Sequence, residues 1–434
     1  MKKSSKIPVS KISRASKLLK TGVKVGANYL KYYGDRIVNA ENDAKNRLNT
    51  SNASDIYDGL KTLKGGPLKL IQMLSMEKNI LPQAYIDKFS LAQFSVPPLS
   101  PALVVKTFKK YFNKYPSELF DTFDTNAINA ASIGQVHRAE KNGKQLAVKI
   151  QYPGVSNSIK SDIALVKPIA IKMFNFKGAS SDAYFKEVEN KLLEETDYLL
   201  EIKQSEEITK ACKHLSNTLF PSYYKNLSSK QIITMDWMEG KHLSEFIKTN
   251  PSQETANLIG QTLWDFYMFQ IHKLKKVHAD PHPGNFLISK TNQLIALDFG
   301  CVKIIPLHFY NSYFELFKKP TPNPVSFTKK LYELELLRED DSKEDIAFFT
   351  NMLKEMLEIF TEPFHQDIFD FSEETFQQKI TDFGEKYMKS DELKTKNGNR
   401  GSKHLIYINR TLLGLYHLMF QLKATNVNTN LFNC

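Results

Sequence analysis

The stretch HADPHPGNFLISKTNQLIALDFG, from His278 to Gly300, sets Asp280 five residues before Asn285 and eighteen before Asp298. Those residue types in that order suit phosphoryl transfer with a bound divalent cation. Asp280 can accept a hydroxyl proton or orient an acceptor. Asn285 and Asp298 can each give a hard oxygen to Mg²⁺. The run LIALD before Phe299 and Gly300 reads as a short buried strand that delivers Asp298 to a turn. A zinc reading competes, because His278 and His282 are four apart and would share a helix face. Pro281 and Pro283 forbid a regular helix there, and Ala279 stands where a zinc protease needs glutamate. No zinc is expected.

A second group lies upstream. Lys149 sits in the apolar run LAVKIQY, where a buried ammonium is costly unless paired. A strand lysine of this kind can hold nucleotide phosphates if a carboxylate fixes its position. The candidate carboxylates lie in EETDYLLE: Glu195, Asp197 and Glu201. Asp197 and Glu201 are four apart and share a helix face. Further upstream, NAASIGQVH (129–137) occupies the place of a phosphate-covering loop. The usual GxGxxGxV pattern falls on Asn129, Ala131, Gly134 and Val136, so only one of its glycines is kept. Alanine costs the loop its positive-φ freedom and adds methyl groups near the phosphates. A second Asp-Phe-Gly, at 382–384, has a helical, polar surrounding and no preceding strand, and reads as surface helix.

The elements that must position these residues follow from periodicity. Residues 36–55 are polar and rich in Asn, Ser and Thr, and read as a linker. Residues 56–115 look helical, with Gly65-Gly66-Pro67 as a break. AINAASIGQVHRAEKNGKQLAVKIQY reads as two strands joined by a turn at Lys141-Asn142-Gly143. Residues 159–211 return to helix. QIITMDWMEGKHLSEF (231–246) is a strand, a turn at Glu239-Gly240, then a helix. Residues 254–276 are helical, and from 307 helix dominates, with 389–403 expected as a mobile loop. The order is a helical extension, a small β-rich unit, a hinge-like turn and a larger helical unit. The expected division is residues 1–55, a basic arm and linker; 56–125, a helical extension; 126–238, a β-rich lobe with inserted helices; and 239–434, a helical lobe.

The chain has 434 residues, 41% hydrophobic and 24% charged, with three scattered cysteines. Such a composition suits a globular protein with a sizeable core. No CxxC pair is present, which disfavours a disulfide framework and fits a reducing compartment. No apolar run reaches the roughly 18 residues that cross a bilayer; 258–271 and 411–422 read as core helices. The net charge is +12, and residues 1–34 hold nine Lys or Arg and no acid. That start reads either as a solvated arm or as a weak amphipathic segment able to touch an anionic surface. No nucleic-acid motif accompanies it. A cytoplasmic protein, peripheral to a membrane at most, is expected.

Taken together, AASIGQVHRA, VKIQYPGV, HADPHPGN and LDFG resemble the ABC1/UbiB/ADCK group of atypical kinase-like proteins, over residues 60 to 305 and more loosely beyond. The resemblance implies an α+β, two-lobed protein-kinase-like fold with a small β-rich N-lobe, a larger helical C-lobe and an added N-terminal helical extension. It places the nucleotide loop on Ala130, Ala131 and Ser132, with Asn129 where alanine is common. It makes Lys149 the strand lysine, Glu195 and Asp197 the ExD motif, and Glu201 the next helical-turn glutamate. Asp280 becomes the catalytic-loop aspartate, and Asn285 and Asp298 the metal ligands. The same plan puts Ala147, Met235, Asp236 and Met238 beside the nucleotide, with Gly134 and Val136. The KxGQ motif of the extension falls on Lys69 and Gln72, with Ile71 in place of glycine. What it implies for function is an ATP (or ADP) and Mg²⁺ protein, an ATPase or a small-molecule or lipid phosphotransferase. Its setting would be isoprenoid-quinone or lipid metabolism at a membrane surface. A nucleotide-gated lipid- or protein-binding module is the alternative. Protein phosphorylation is disfavoured, since no APE follows Gly300.

Overall fold

The computed structural model describes residues 11–36, 41–61, 84, 85, 88, 98–130, 133–174, 179–318, 323–390, 392, 393, 396 and 400–430. Lys69, Ile71, Gln72, Ala131 and Ser132 lie outside the described residues. The chain divides into two compact units. The first comprises residues 1–202 and 222–237, the second residues 203–221 and 238–434.

The first unit opens with α1 (Lys11–Asp35) and α2 (Glu41–Lys61), which pack on each other. Helix α2 corrects the linker reading of 36–55. Its apolar residues are sparse but fall at helical spacing, and Ala44, Leu48, Ala53, Ile56, Tyr57 and Leu60 are all buried. Its polar residues are paired from α1: Asn28 Nδ2 donates to Asn52 Oδ1 (3.1 Å) and to Asp55 Oδ2 (2.9 Å). Composition alone signals a loop there because the satisfying partners sit on another helix.

After α3 (Pro101–Phe112), the strands β1 (Thr122–Phe123), β2 (Asn129–Ala130), β3 (Gly134–Lys141) and β4 (Lys144–Gln151) begin the sheet. The expected turn at 141–143 is a two-residue hairpin with Asn142 and Gly143 both at positive φ (51° and 73°), the geometry that a tight hairpin favours. Helices α4 (Val155–Phe174), α5 (Ala179–Glu195) and α6 (Tyr198–Cys212) follow, as the periodicity predicts. Strands β5 (Thr218–Leu219) and β6 (Ile232–Asp236) come next. The sheet order is β1-β3-β4-β6, with β2 also on β3, and every pairing in it is antiparallel.

In the second unit, β5 pairs with strands β7 (Lys241–His242), β9 (Phe286–Ile288) and β10 (Leu294–Ala296) in the order β5-β10-β9-β7. Strand β8 (Lys276–His278) pairs with β11 (Val302–Ile304). The helices are α7 (Gln253–Phe269), α8 (Leu307–Glu315), α9 (Pro324–Glu333), α10 (Lys343–Phe360), α11 (Glu374–Lys389) and α12 (Lys403–Leu422). The apolar runs at 258–271 and 411–422 are core: Trp264, Leu263, Leu412 and Leu415 are fully buried. Among the described residues no helix is long and apolar enough to cross a membrane. The second Asp-Phe-Gly lies within α11, where Asp382 accepts from Gln378 one turn earlier.

The described residues of 389–403 do not behave as a free loop. Arg400 forms a forked pair with Asp341, 2.7 Å at Nη2, with both side chains buried, and its guanidinium lies 3.8 Å from the Phe349 ring centroid. Forking onto a carboxylate and stacking on an aromatic ring anchor the planar cation of Arg400. The polar composition of the stretch conceals that.

Candidate functional site

The first unit supplies the lysine. Strand β4 is buried from Leu146 to Gln151, so Lys149 must find an anion. Its Nζ lies 2.7 Å from Glu201 Oε1, with side-chain exposures of 11% and 5%. Of the three candidate carboxylates, Glu201 is thus in direct contact with the ammonium. The reason is local. Helix α5 ends at Glu195, and Asp197 caps the next helix, its Oδ1 accepting from the backbone of Leu199 and Leu200 at 3.2 Å. That cap starts α6 one turn before Glu201 and turns Glu201 onto the strand. Gln151 Nε2 holds the break between the helices by donating to Thr196 O at 3.0 Å. Glu195 is buried at the end of α5. Tyr198, fully buried, sets its ring 5.1 Å from Lys149 Nζ.

Gly134 opens β3, paired with Gln151. A Cβ there would meet Ile150 O at 2.7 Å and Tyr198 Oη at 2.8 Å. The glycine is thus required by close approach of the Lys149 strand and Tyr198. Asn129 and Ala130 form β2, which pairs antiparallel with Val136 and Gln135 of β3. Val136 lies opposite Lys149, and Ala147, buried, lies opposite Met235. Asp236 accepts from Tyr224 Oη (2.6 Å) and from Ser222 N (2.9 Å). Burial pushes this carboxyl upward, but the two donors and Lys144 more than offset it, so it stays below the usual range. Its carboxylate therefore holds the segment after Pro221, and Met238 begins the second unit half-buried.

The Gln and His of SIGQVH form a buried relay. His137 Nδ1 donates to Asp124 O (2.8 Å), and its Nε2 accepts from Gln135 Nε2 (2.7 Å). Gln135 Oε1 accepts from Leu99 N (2.6 Å). Each polar atom has one complementary partner, which fixes a neutral ring with its proton on Nδ1. This part of the motif is structural.

The second unit supplies the acidic loop. Helix α7 widens into a π turn over Gln270–Leu274, which directs buried Gln270 at the loop: its Oε1 accepts from His278 N at 3.0 Å. His278 packs 5.5 Å from the ring of fully buried Phe299. Ala279 N donates to Cys301 O (2.8 Å), and Leu297 N to Asn285 O (3.0 Å). These bonds tie the loop holding Asp280 and Asn285 to the turn holding Asp298. Asn285 Nδ2 donates to Asp280 O (2.9 Å) and Oδ2 (3.1 Å). With its nitrogen committed to Asp280, the amide keeps Oδ1 as its hard acceptor atom. Asp298 Oδ1 accepts from Gly300 N at 2.8 Å, closing the expected turn. Asn285 and Asp298 thus fit an oxygen-seeking cation in donor type. Among the described residues there is no cluster of three His, Cys, Asp or Glu that would suit a metal.

Arg410 on α12 was missed by sequence reasoning. Its Nη2 donates to Asp280 Oδ1 at 3.1 Å. The same helix face carries Tyr407, packed with Ala279 and Cys301, its ring 4.3 Å from Lys303 Nζ. One turn after Arg410, Gly414 faces Pro281; a Cβ there would fall 2.2 Å from Pro281 Cγ. Three positions on one helix therefore seat the loop that carries Asp280. The signal was present: an arginine opening the apolar run RTLLGLYHLMF needs a buried partner, the argument that singled out Lys149.

The profile of the ABC1 atypical kinase-like domain matches residues 91–323, more than half of the chain. The Arabidopsis thaliana protein named Activity of bc1 complex kinase 8, chloroplastic, is 31% identical over 265 residues. These are 59% of this chain and 35% of that one, so this chain spans about a third of its length. The atypical kinase COQ8, mitochondrial, of Saccharomyces cerevisiae is 28% identical over 390 residues, 86% of this chain and 75% of that one. A solved structure, the complex of Rv3197 with erythromycin from Mycobacterium tuberculosis, aligns over 91% of this chain and 97% of that one. Its TM-score is 0.59 at 23% identity, a likeness of fold.

Proposed function

The chain belongs to the ABC1 atypical kinase-like family, and from that premise we propose that it binds ATP or ADP with Mg²⁺ and acts as an ATPase or a small-molecule or lipid phosphotransferase. The observation that carries this reading is the buried Lys149–Glu201 pair at 2.7 Å in the first unit. A strand ammonium whose position is fixed by a buried carboxylate is placed to meet phosphate oxygens. In the second unit, Asp280 would orient the acceptor hydroxyl or water, and Asn285 and Asp298 would hold the cation. Mg²⁺, when bound, would neutralise phosphate charge. The residues themselves contribute position: Asn285 fixes both the backbone and the carboxylate of Asp280, and the Gly300 amide fixes Asp298.

The acceptor we infer is an isoprenoid or lipid, in quinone or lipid metabolism, presented at a membrane surface. Support comes from the family and from the chain after Asp298. Strand β11 leads through Pro306, which precedes the first turn of α8, directly into that helix. No APE segment intervenes to shape a peptide groove.

A second reading, a nucleotide-gated binding module without turnover, is favoured by one observation. The Asp280 carboxylate is already engaged on both oxygens, by Arg410 and Asn285. Turnover assays with and without isoprenoid lipid, on wild type and Asp280→Asn, separate the two. Turnover lost in the variant while Mg²⁺–ATP binding persists supports the enzyme. Equal background rates in both proteins support the module. Asp298→Asn is expected to weaken Mg²⁺-dependent nucleotide binding by at least about tenfold, and unchanged affinity would remove Asp298 from the metal.

A further inference from the structure

Helix α1 buries one face and leaves the opposite one bare. Thr21 is buried, and Val25, Asn28 and Tyr32 are half-buried. Thr21 seats under Gly59 of α2, and Asn28 bonds Asn52 and Asp55. At 3.6 residues per turn, Leu19, Val23 and Leu30 point the other way. They are 71%, 74% and 75% exposed, and Tyr33, on the edge of the same stripe, is 61% exposed. Exposed apolar residues scattered singly are ordinary; several aligned on one ridge are not. Exposed Lys20, Lys24 and Lys31 run along one flank of this ridge. Lys24 also reaches Asp55 at 3.5 Å. Tyr29 and Tyr33 lie on the other flank.

We infer that this outward ridge of α1 docks on an anionic lipid bilayer, with Leu19, Val23 and Leu30 entering the interface and Lys20, Lys24 and Lys31 on lipid headgroups. The charge pattern selects this occupant. Residues 1–34 contain nine cations and no acid, so a second copy of the helix laid on the ridge would set lysine against a surface with no complementary charge. An anionic headgroup layer supplies that charge, and the acyl boundary receives the leucines. Tyrosine suits the same level of an interface. Lysine stems can lie along apolar surface while the ammonium reaches headgroups. The inference deepens the membrane part of the proposed function and rests on it for the acceptor alone, since the docking itself needs no nucleotide.

The test is co-sedimentation of the full chain, without nucleotide, with vesicles of phosphatidylcholine and with vesicles containing about one third phosphatidylserine. Binding to the anionic vesicles alone, weakening with salt, is expected. The triple variant Leu19→Glu, Val23→Glu, Leu30→Glu should abolish binding while keeping the wild-type melting temperature, because all three side chains are exposed. Lys20→Ala with Lys31→Ala should weaken it about thirtyfold. Wild-type protein that stays in the supernatant overturns the inference. So does a triple variant that binds like wild type, or one whose only change is from dimer to monomer in gel filtration. Mg²⁺–ATP affinity, measured on the same proteins, should be equal in wild type and triple variant. Its absence from wild type would defeat the nucleotide reading and leave the vesicle result standing.

Discussion

Arg410 donates from Nη2 to Asp280 Oδ1 at 3.1 Å, across 130 residues of chain. The cation beside the proposed catalytic aspartate comes from helix α12, outside the loop that carries that aspartate. Removing it takes the guanidinium from a carboxylate that is 8% exposed and still accepts from Asn285. Arg410→Ala should destabilise the protein by about 3 kcal/mol, the low end for breaking a buried pair, read from urea unfolding. It should also lower turnover more than nucleotide affinity. Arg410→Lys keeps the charge and loses the planar donor geometry, so it should recover stability better than turnover. Equal turnover in all three proteins would reduce Arg410 to packing.

Gly414 tests the same seat without touching charge. Gly414→Ala forces a methyl group toward Pro281 and must shift either the loop or the helix. The expected cost is about 1–3 kcal/mol, with reduced turnover. Unaltered turnover in a protein of wild-type stability would show that the helix gives way freely.

The Lys149–Glu201 pair invites a double-mutant cycle. Glu201→Leu takes a carboxylate away from a buried ammonium and should cost about 3–5 kcal/mol. Lys149→Met combined with Glu201→Leu removes both charges and should cost less than the single change, although nucleotide binding is lost. Additive losses in denaturant titrations would mean that the two side chains do not interact.

Two histidines predict the acid side of the stability profile. Burial holds His137 below its usual range despite the Asp124 carbonyl. Burial, then Lys275 and Lys273, brings His272 down to about 3. Both rings are neutral in the folded protein, while the unfolded chain takes up protons below about pH 6.5. The unfolded state then binds more protons, so stability present above pH 6.5 is lost as pH falls toward the folded values. The slope is about 1.4 kcal/mol per pH unit for each ring. His272→Gln should flatten the profile between pH 6 and 4, roughly by one ring's share. A pH-independent unfolding midpoint over that range would contradict the assignment.

Gly134→Ala should disturb the first unit because of the Ile150 carbonyl and the Tyr198 hydroxyl. A companion Tyr198→Phe should relieve part of the clash and recover some thermal stability. No recovery would leave the carbonyl as the sole obstacle.

Much of this protein is written locally. Spacing alone placed Asp280, Asn285 and Asp298 on one loop and its turn, and periodicity gave the β3–β4 hairpin, the helices that follow it and the core runs of α7 and α12. Those signals depend on neighbours a few residues away, so they survive without a fold. The apolar setting of Lys149 also demanded an anion. That Glu201 would supply one was not legible: Glu195, Asp197 and Glu201 are equivalent until a cap at Asp197 starts α6 and turns Glu201 onto β4. Helix α2 read as a linker because its polar residues are satisfied by α1. The 389–403 stretch read as loose because Asp341, which holds Arg400, is about sixty residues away. Arg410 and Gly414 acquire meaning only when α12 meets Pro281 and Asp280. A sequence states what each buried charge or small residue requires. Tertiary packing decides who meets the requirement, because desolvation and close approach are properties of pairs brought together from distant parts of the chain.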